Sequence, residues 1–334
     1  MNIFMKTKIV YVLVSDERDL YLEQAWLSLY SLRLHNPTTH VVVLVDDNTE
    51  RSLIGKRRKF CELVTEIKTI DVPAEYTAAQ RSRYIKTTAR RHVVGNFLFI
   101  DTDTIVTDTL DDLDDMEIEI GAVPEFHVDL SHFPGVEGLH ITAQQLGWSY
   151  DKKDIYNYNS GAIFVKDTPV AHQFYQMWSE CWLKSMAILH RHHDQPPLAM
   201  ADHLLDHPIV PMNGIWNCQI LERGIFYLPS AKVVHYFGTS LSKDKDDYIY
   251  AFEGSDILYE VKNLGGISRS IHQLLVNAKG ICNSHTQIVA GMEADLLYTH
   301  VYRVVKNLYK YHSSIFHLLD NTLKCFGKMK SKFK

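Results

Sequence analysis

The stretch FLFIDTDTIV, Phe97 to Val106, sets two carboxylates, Asp101 and Asp103, two positions apart directly after a run with the character of a buried strand. On extended backbone, side chains two apart point the same way, so the two acids share one edge. Like charges held together call for a cation between them, and hard divalent ions with oxygen ligands meet that need. Solvated loop aspartates would have no such requirement. The preceding strand instead sets this pair at a carboxyl end, where open α/β sheets bind ligands.

Other residues of useful chemistry follow a similar rule of place. In RSRYIK (Arg81–Lys86), Arg83 and Lys86 are three apart and share a helix face. From Tyr158 runs YNSGAIFV, in which Asn159 and Ser160 precede a glycine that lets backbone approach a ligand closely, or simply turns into a core strand. DQPPLAMADH carries Asp194 and Gln195, and KVVHYFG carries His235 and Gly238. His190, His192 and His193 look like a metal cluster but fall at a helix end, where a solvated terminus explains them. Asp108–Asp115 reads as an acidic solvated loop, since Asp and Thr favour turns and caps. Asp46, ending the second strand, is expected to border the bound ligand.

These residues need a scaffold, and the patterning supplies one. Ile9–Val14 and Val41–Val45 are short β-branched runs of the kind buried on both faces of a sheet. Between them Leu20–Leu34 repeats apolar residues at helical spacing and stops at Asn36-Pro37. Helices are expected over Gly55–Leu63, Ala78–Val94 and Val170–Leu189. Strands are expected over Glu66–Val72, Phe97–Ile100, Ile118–Val123, Gly161–Val165 and Lys232–Tyr236. Repeated βαβ units imply a parallel, doubly wound sheet. After about residue 245 the chain reads as helical. The expected division is residues 1–250 as a catalytic α/β domain and residues 251–334 as a helical extension.

Composition excludes several classes. The chain has 334 residues, 46% hydrophobic and 22% charged, with a net charge of −5, which suits a globular protein and argues against a general nucleic-acid binder. Five separated cysteines without CxxC spacing read as ordinary thiols rather than a disulfide frame. No stretch approaches the ~20 apolar residues of a membrane span, so the expected location is cytoplasmic. From Lys310 to Lys334, six lysines interleave with aromatic and aliphatic residues against the single acid Asp320. That pattern suits an interfacial helix on the inner face of a membrane and equally a packed helix with a solvated tail.

Two enzyme classes place Asp-x-Asp after a strand. Phosphatases with an aspartyl nucleophile use hhhhDxDxT on their first strand, whereas here Ile105 stands at the Thr position and at least three strands precede. The other class is the nucleotide-sugar glycosyltransferases. From about Ile9 to Gly238 the ordered motifs resemble retaining glycosyltransferases of family eight, the class of glycogenin and bacterial lipopolysaccharide galactosyl- and glucosyltransferases.

The resemblance implies a GT-A type fold, a Rossmann-like mixed sheet flanked by helices. It implies a Mn²⁺ or Mg²⁺ cofactor held by Asp101, Asp103 and His235. It assigns nucleotide-sugar binding to Val14, Ser15, Tyr21, Arg83, Lys86, Asp101, Thr102, Asp103, Ser160 and Gly238. The family's Lys three positions after that glycine is Leu241 here, with Lys243 as the substitute, and no Pro-Trp follows. Asp194, Gln195 and Asn159 fall at the catalytic positions beside the anomeric carbon. The implied reaction moves a hexose from UDP-glucose or UDP-galactose to a glycan or lipid-linked glycan, with retention. The alternatives are an aspartyl-nucleophile phosphatase using Asp101 and Asp103, or a non-catalytic nucleotide-sugar-binding protein.

Overall fold

The computed structural model describes residues 5–237, 249–280 and 289–330. The chain separates into a compact unit ending at Ser284 and a second from His285 onward. In the first, β-branched runs become buried strands: β1 (Lys8–Leu13), β2 (Val41–Asp46), β3 (Glu66–Ile70) and β4 (Phe97–Ile100). Helix α1 (Tyr21–His35) crosses between β1 and β2, burying Leu22, Ala25, Leu27, Leu29 and Leu32. Pairing β3-β2-β1-β4 is parallel throughout, as the βαβ pattern requires.

The region between β2 and β3 departs from expectation. Asp46 closes its strand and at once accepts the Thr49 N–H at 2.9 Å, so α2 (Asp47–Ser52) starts there. Gly55 is left-handed at φ +55°, and Arg57–Leu63 winds as a 3₁₀ helix. Asp46 also pairs with Arg81 at 3.0 Å. It is therefore a buried cap and ion-pair partner, not a border of the ligand cavity.

Helix α3 (Ala78–Thr88) begins with a Thr77–Gln80 capping box and leads toward β4. Past β4 the sheet stops being parallel. The chain makes β5 (Thr104–Val106) and β6 (Ile120–Pro124), then α4 (Val136–Gln145), β7 (Tyr158–Val165), α5 (Pro169–Leu189), α6 (Gln195–Leu204) and β8 (Ile209–Pro211). Strand β7 runs antiparallel to β4 and to β6, giving a seven-stranded mixed sheet of order β3-β2-β1-β4-β7-β6-β8. A three-stranded sheet joins β5 to β10 (Val233–His235) and β9 (Cys218–Gln219).

Helices α7 (Ser255–Leu264) and α8 (Arg269–Val276), which the patterning assigns to the extension, belong to the first unit. Leu258, Val261, Ile271 and Leu275 are buried with α1 residues in one core. Lys262 on α7 donates to the carbonyls of Glu17 and Asp19 at 2.6 and 2.7 Å, clamping the loop after β1. The second unit holds α9 (Met292–Leu296), α10 (His300–Tyr311) and α11 (Ser313–Lys330). Val301, Val304, Leu318 and Leu323 on these helices are more than half exposed. Among the described residues no helix is long and apolar enough to cross a membrane.

Candidate active site

A cavity of about 760 Å³ opens at the carboxyl end of β1 and β4, walled by α3 and the loop after β1. Of the residues singled out in the sequence, Val14, Tyr21, Arg83, Lys86, Asp101, Thr102 and Asp103 line it. Tyr21 is 55% exposed, so its ring is available to a planar ligand. Ser15 lies behind the wall, bonded to Asp19 at 2.6 Å and to Arg57 at 3.1 Å, because its hydroxyl closes the turn rather than facing the cavity. Gly238 and Lys243 lie outside the described residues. His192, which the helix-end pattern sets aside, lines the cavity, while His190 is the left-handed cap of α5. Tyr259 of α7 completes the wall.

Asp101 follows β4 directly, its N–H bonded to the Gly161 carbonyl at 2.8 Å. The chain then turns into β5, whose antiparallel register sets His235 opposite Thr104. That pairing brings the imidazole Nε2 to 3.4 Å from Asp103. Asp101, Asp103 and His235 each offer a ligand atom, all within 4.8 Å of one another. Two carboxylates and an imidazole form a donor set that fits Mn²⁺ or Mg²⁺, with the nitrogen favouring the former. Burial pushes His235 toward its neutral form, but Asp103 and Asp101 outweigh this and raise its pKa. Burial raises Asp103 in turn, and His235 brings it below the usual range.

Gly161 makes room for this arrangement. A Cβ there would stand 2.3 Å from His235 Cε1 and 2.8 Å from Asn159 Oδ1, inside any van der Waals limit. The Asn159 amide oxygen accepts from the Gly161 N–H at 2.9 Å and from Asn217 at 2.7 Å. Asn217 in turn holds His235 Nδ1 at 3.0 Å, leaving Nε2 toward the acids.

Beneath the cavity a buried charge network joins α3 to α6. Lys86, 2% exposed, places its ammonium 3.0 Å from Asp101, 2.9 Å from Asp194 and 3.1 Å from Ser160. Arg83 faces the other Asp194 oxygen at 3.2 Å. Burial alone would raise the Asp194 carboxyl, yet Lys86 and Arg83 together hold it well below the usual range. Asp194 is thus an ionised anchor for both cations.

Sequence reasoning misses a second acid pair. Glu125, at the end of β6, accepts from Asn159 at 2.9 Å and from Gln195. Its position after a buried strand was the available signal, the same one that marks Asp101. Glu222, with no such signal, hydrogen-bonds Glu125, and burial with that neighbouring charge pushes its carboxyl up to about 8. Burial also raises Glu125. The pair therefore retains a proton near neutral pH. The folded state holds that proton above the ordinary Glu range, so wild-type stability should fall from that range up to about pH 8 and then level. Glu222→Gln should flatten this decline in urea unfolding measured across pH. An unchanged profile would show that the two acids ionise independently.

No protein-family profile matches the chain, and no curated protein sequence matches it either. Solved structures do. The galactosyltransferase LgtC, in complex with donor and acceptor sugar analogues, superposes with a TM-score of 0.51 at 18% identity, covering 80% of this chain and 99% of LgtC. An active-site mutant of LgtC gives 0.54 at 16% identity over the same shares of each chain. At this identity the likeness establishes the fold alone: the chain shares the GT-A architecture of the LgtC structures.

Proposed function

We propose that the chain is a metal-dependent glycosyltransferase. In this reading it moves a hexose from UDP-glucose or UDP-galactose to a glycan or lipid-linked glycan and retains the anomeric configuration. The observation that carries it is the Asp101, Asp103 and His235 donor set, two members of which, Asp101 and Asp103, line a cavity large enough for a nucleotide sugar. The fold shared with LgtC, a galactosyltransferase solved with donor and acceptor analogues, supports the reaction class.

Asp101, Asp103 and His235 would hold the divalent ion, which when bound neutralises charge on the departing diphosphate. Arg83 lies on the same cavity wall and supplies further positive charge toward that group. Tyr21 offers its exposed ring to the base. Gln195 and Asn159 sit together on Glu125, so their amides are oriented before a sugar arrives. Asp194, held ionised by Lys86 and Arg83, fixes the N-terminus of α6 and with it Gln195.

Proton NMR of UDP-α-hexose turnover with Mn²⁺ tests both parts of the proposal. Retention predicts that the first sugar released or transferred is the α-anomer, and that chelation stops its appearance. A β-anomer first would leave a transferase but remove retention. Absence of binding and turnover for every nucleotide sugar tried would remove the transferase reading.

The second unit supports a peripheral role at an anionic surface, since α10 and α11 present exposed Val, Leu and Tyr beside lysines. Flotation with anionic liposomes should carry the full chain, and truncation after Tyr309 should weaken it. Equal flotation of both chains would rule the tail out as the anchor.

A further inference from the structure

Away from the cavity, two histidines and three aspartates converge where the end of α6 meets the loop before β7. His203 Nδ1 lies 3.0 and 3.2 Å from the two Asp154 oxygens. His207 Nδ1 lies 3.2 Å from Asp202 and 3.8 Å from Asp154. Asp151, Asp154, His203 and His207 each offer a ligand atom, all within 4.8 Å of one another. Bonds of about 2.1 Å in a tetrahedral shell put ligand atoms about 3.4 Å apart, and the His203 Nδ1 to Asp154 separations of 3.0 and 3.2 Å lie near that value.

The surroundings favour a bound cation over simple ion pairing. The Asp154 side chain is 4% exposed and that of Asp202 8%. Among the described ion pairs, these two carboxylates meet only the imidazoles of His203 and His207. The nearby ammonium of Lys153 is committed to Asp206 at 2.7 Å. The backbone is shaped to the cluster as well: Asp206 and His207 are both left-handed, at φ 59° and 64°, and this reversal returns His207 to the acid pair.

We propose that Asp151, Asp154, His203 and His207 form a second metal site, with Asp202 as the outer partner of His207, suited to a four-coordinate Zn²⁺. Two imidazoles and two carboxylates match the nitrogen and oxygen donors that this ion takes in tetrahedral sites. Its role is structural. The loop carrying Asp151 and Asp154 runs directly into β7, which bears Asn159 and Ser160, and His203 ends the helix that starts at Gln195. The metal would tie the loop that leads into Asn159 and Ser160 at the start of β7 to the C-terminal end of α6, whose N-terminal end carries Gln195.

The test is Co²⁺ binding to the full chain carrying Asp101→Asn and Asp103→Asn, which removes the first donor set. Equilibrium dialysis should find one Co²⁺ per chain, with the visible absorption of a tetrahedral ion, displaced by Zn²⁺. His203→Ala or His207→Ala in that background should weaken binding by more than the roughly 10–100-fold an outer-shell partner carries. Asp151→Asn, an exposed change that leaves the core untouched, should weaken it too should either His variant fail to fold. Lys153→Ala should bind as its parent does. A chain with the first donor set removed that binds no Co²⁺, or undiminished binding in the His203, His207 and Asp151 variants, would overturn the site and leave the imidazoles as hydrogen-bond donors.

Discussion

Asp103→Asn is expected to lower sugar transfer about a thousandfold without unfolding the chain. The substitution keeps shape but removes one charged ligand from the donor set of Asp101, Asp103 and His235. Loss of such a ligand costs several kcal/mol of transition-state stabilisation, and each 1.36 kcal/mol or so is a decade in rate. The Asp103 side chain is 23% exposed, so an amide there can be solvated and the fold should hold. The His235 ring, raised in pKa partly by Asp103, should lose proton affinity as well. Turnover at saturating donor, measured over a Mn²⁺ titration with circular dichroism as the folding control, decides the matter. Wild-type turnover at limiting metal would remove Asp103 from the ligand set. Collapse of the fold would make it a structural acid.

Lys86→Met should produce the largest stability loss of any single change at the site, about 3–5 kcal/mol. The ammonium is 2% exposed and bridges Asp101, Asp194 and Ser160. A methionine fills the same space but leaves Asp194, itself buried, with Arg83 and the Ser160 hydroxyl. The pH dependence has a definite sign. In the wild type the folded-state Asp194 is held below its ordinary value, so its contribution is complete above the ordinary carboxylate range and fades as pH falls through the depressed value. Without Lys86 that depression shrinks. The gap between variant and wild type should therefore be full at neutral pH and narrow on acidification. Urea midpoints at several pH values would show it. A gap that stays constant with pH would mean that Lys86 acts by packing, and a gap near zero would remove the bridge as a stabilising feature.

The two experiments separate roles that share one location. Asp103 faces the cavity and should affect rate and metal affinity. Lys86 lines the same cavity but is turned inward onto two acids, so its removal should affect unfolding as well as rate.

Much of this molecule is legible from residue types in order. The buried runs that became β1, β2 and β4, the spacing that became α1, and its stop at Asn36 are local properties, and local propensity decided them. The Asp101–Asp103 pair could be read as a cation site from its place after a buried run, although both acids stand in the bend between β4 and β5 rather than on a strand. Those readings needed no knowledge of the rest of the chain.

What only the tertiary structure decided depends on contacts across long separations. His235 reaches Asp103 because β10 pairs antiparallel with β5 in one register, and a shift by one residue would turn the imidazole to the other face. Ser15 carries the right chemistry at the right strand end, yet Arg57 and Asp19 turn its hydroxyl away from the cavity. Glu222 meets Glu125 across 97 positions of chain, and α7 brings Tyr259 and Lys262 back to the loop after β1. Composition and periodicity state which face of a segment is apolar. They do not state which distant segment will cover it, because that is settled by the packing of the whole core rather than by any one run of residues.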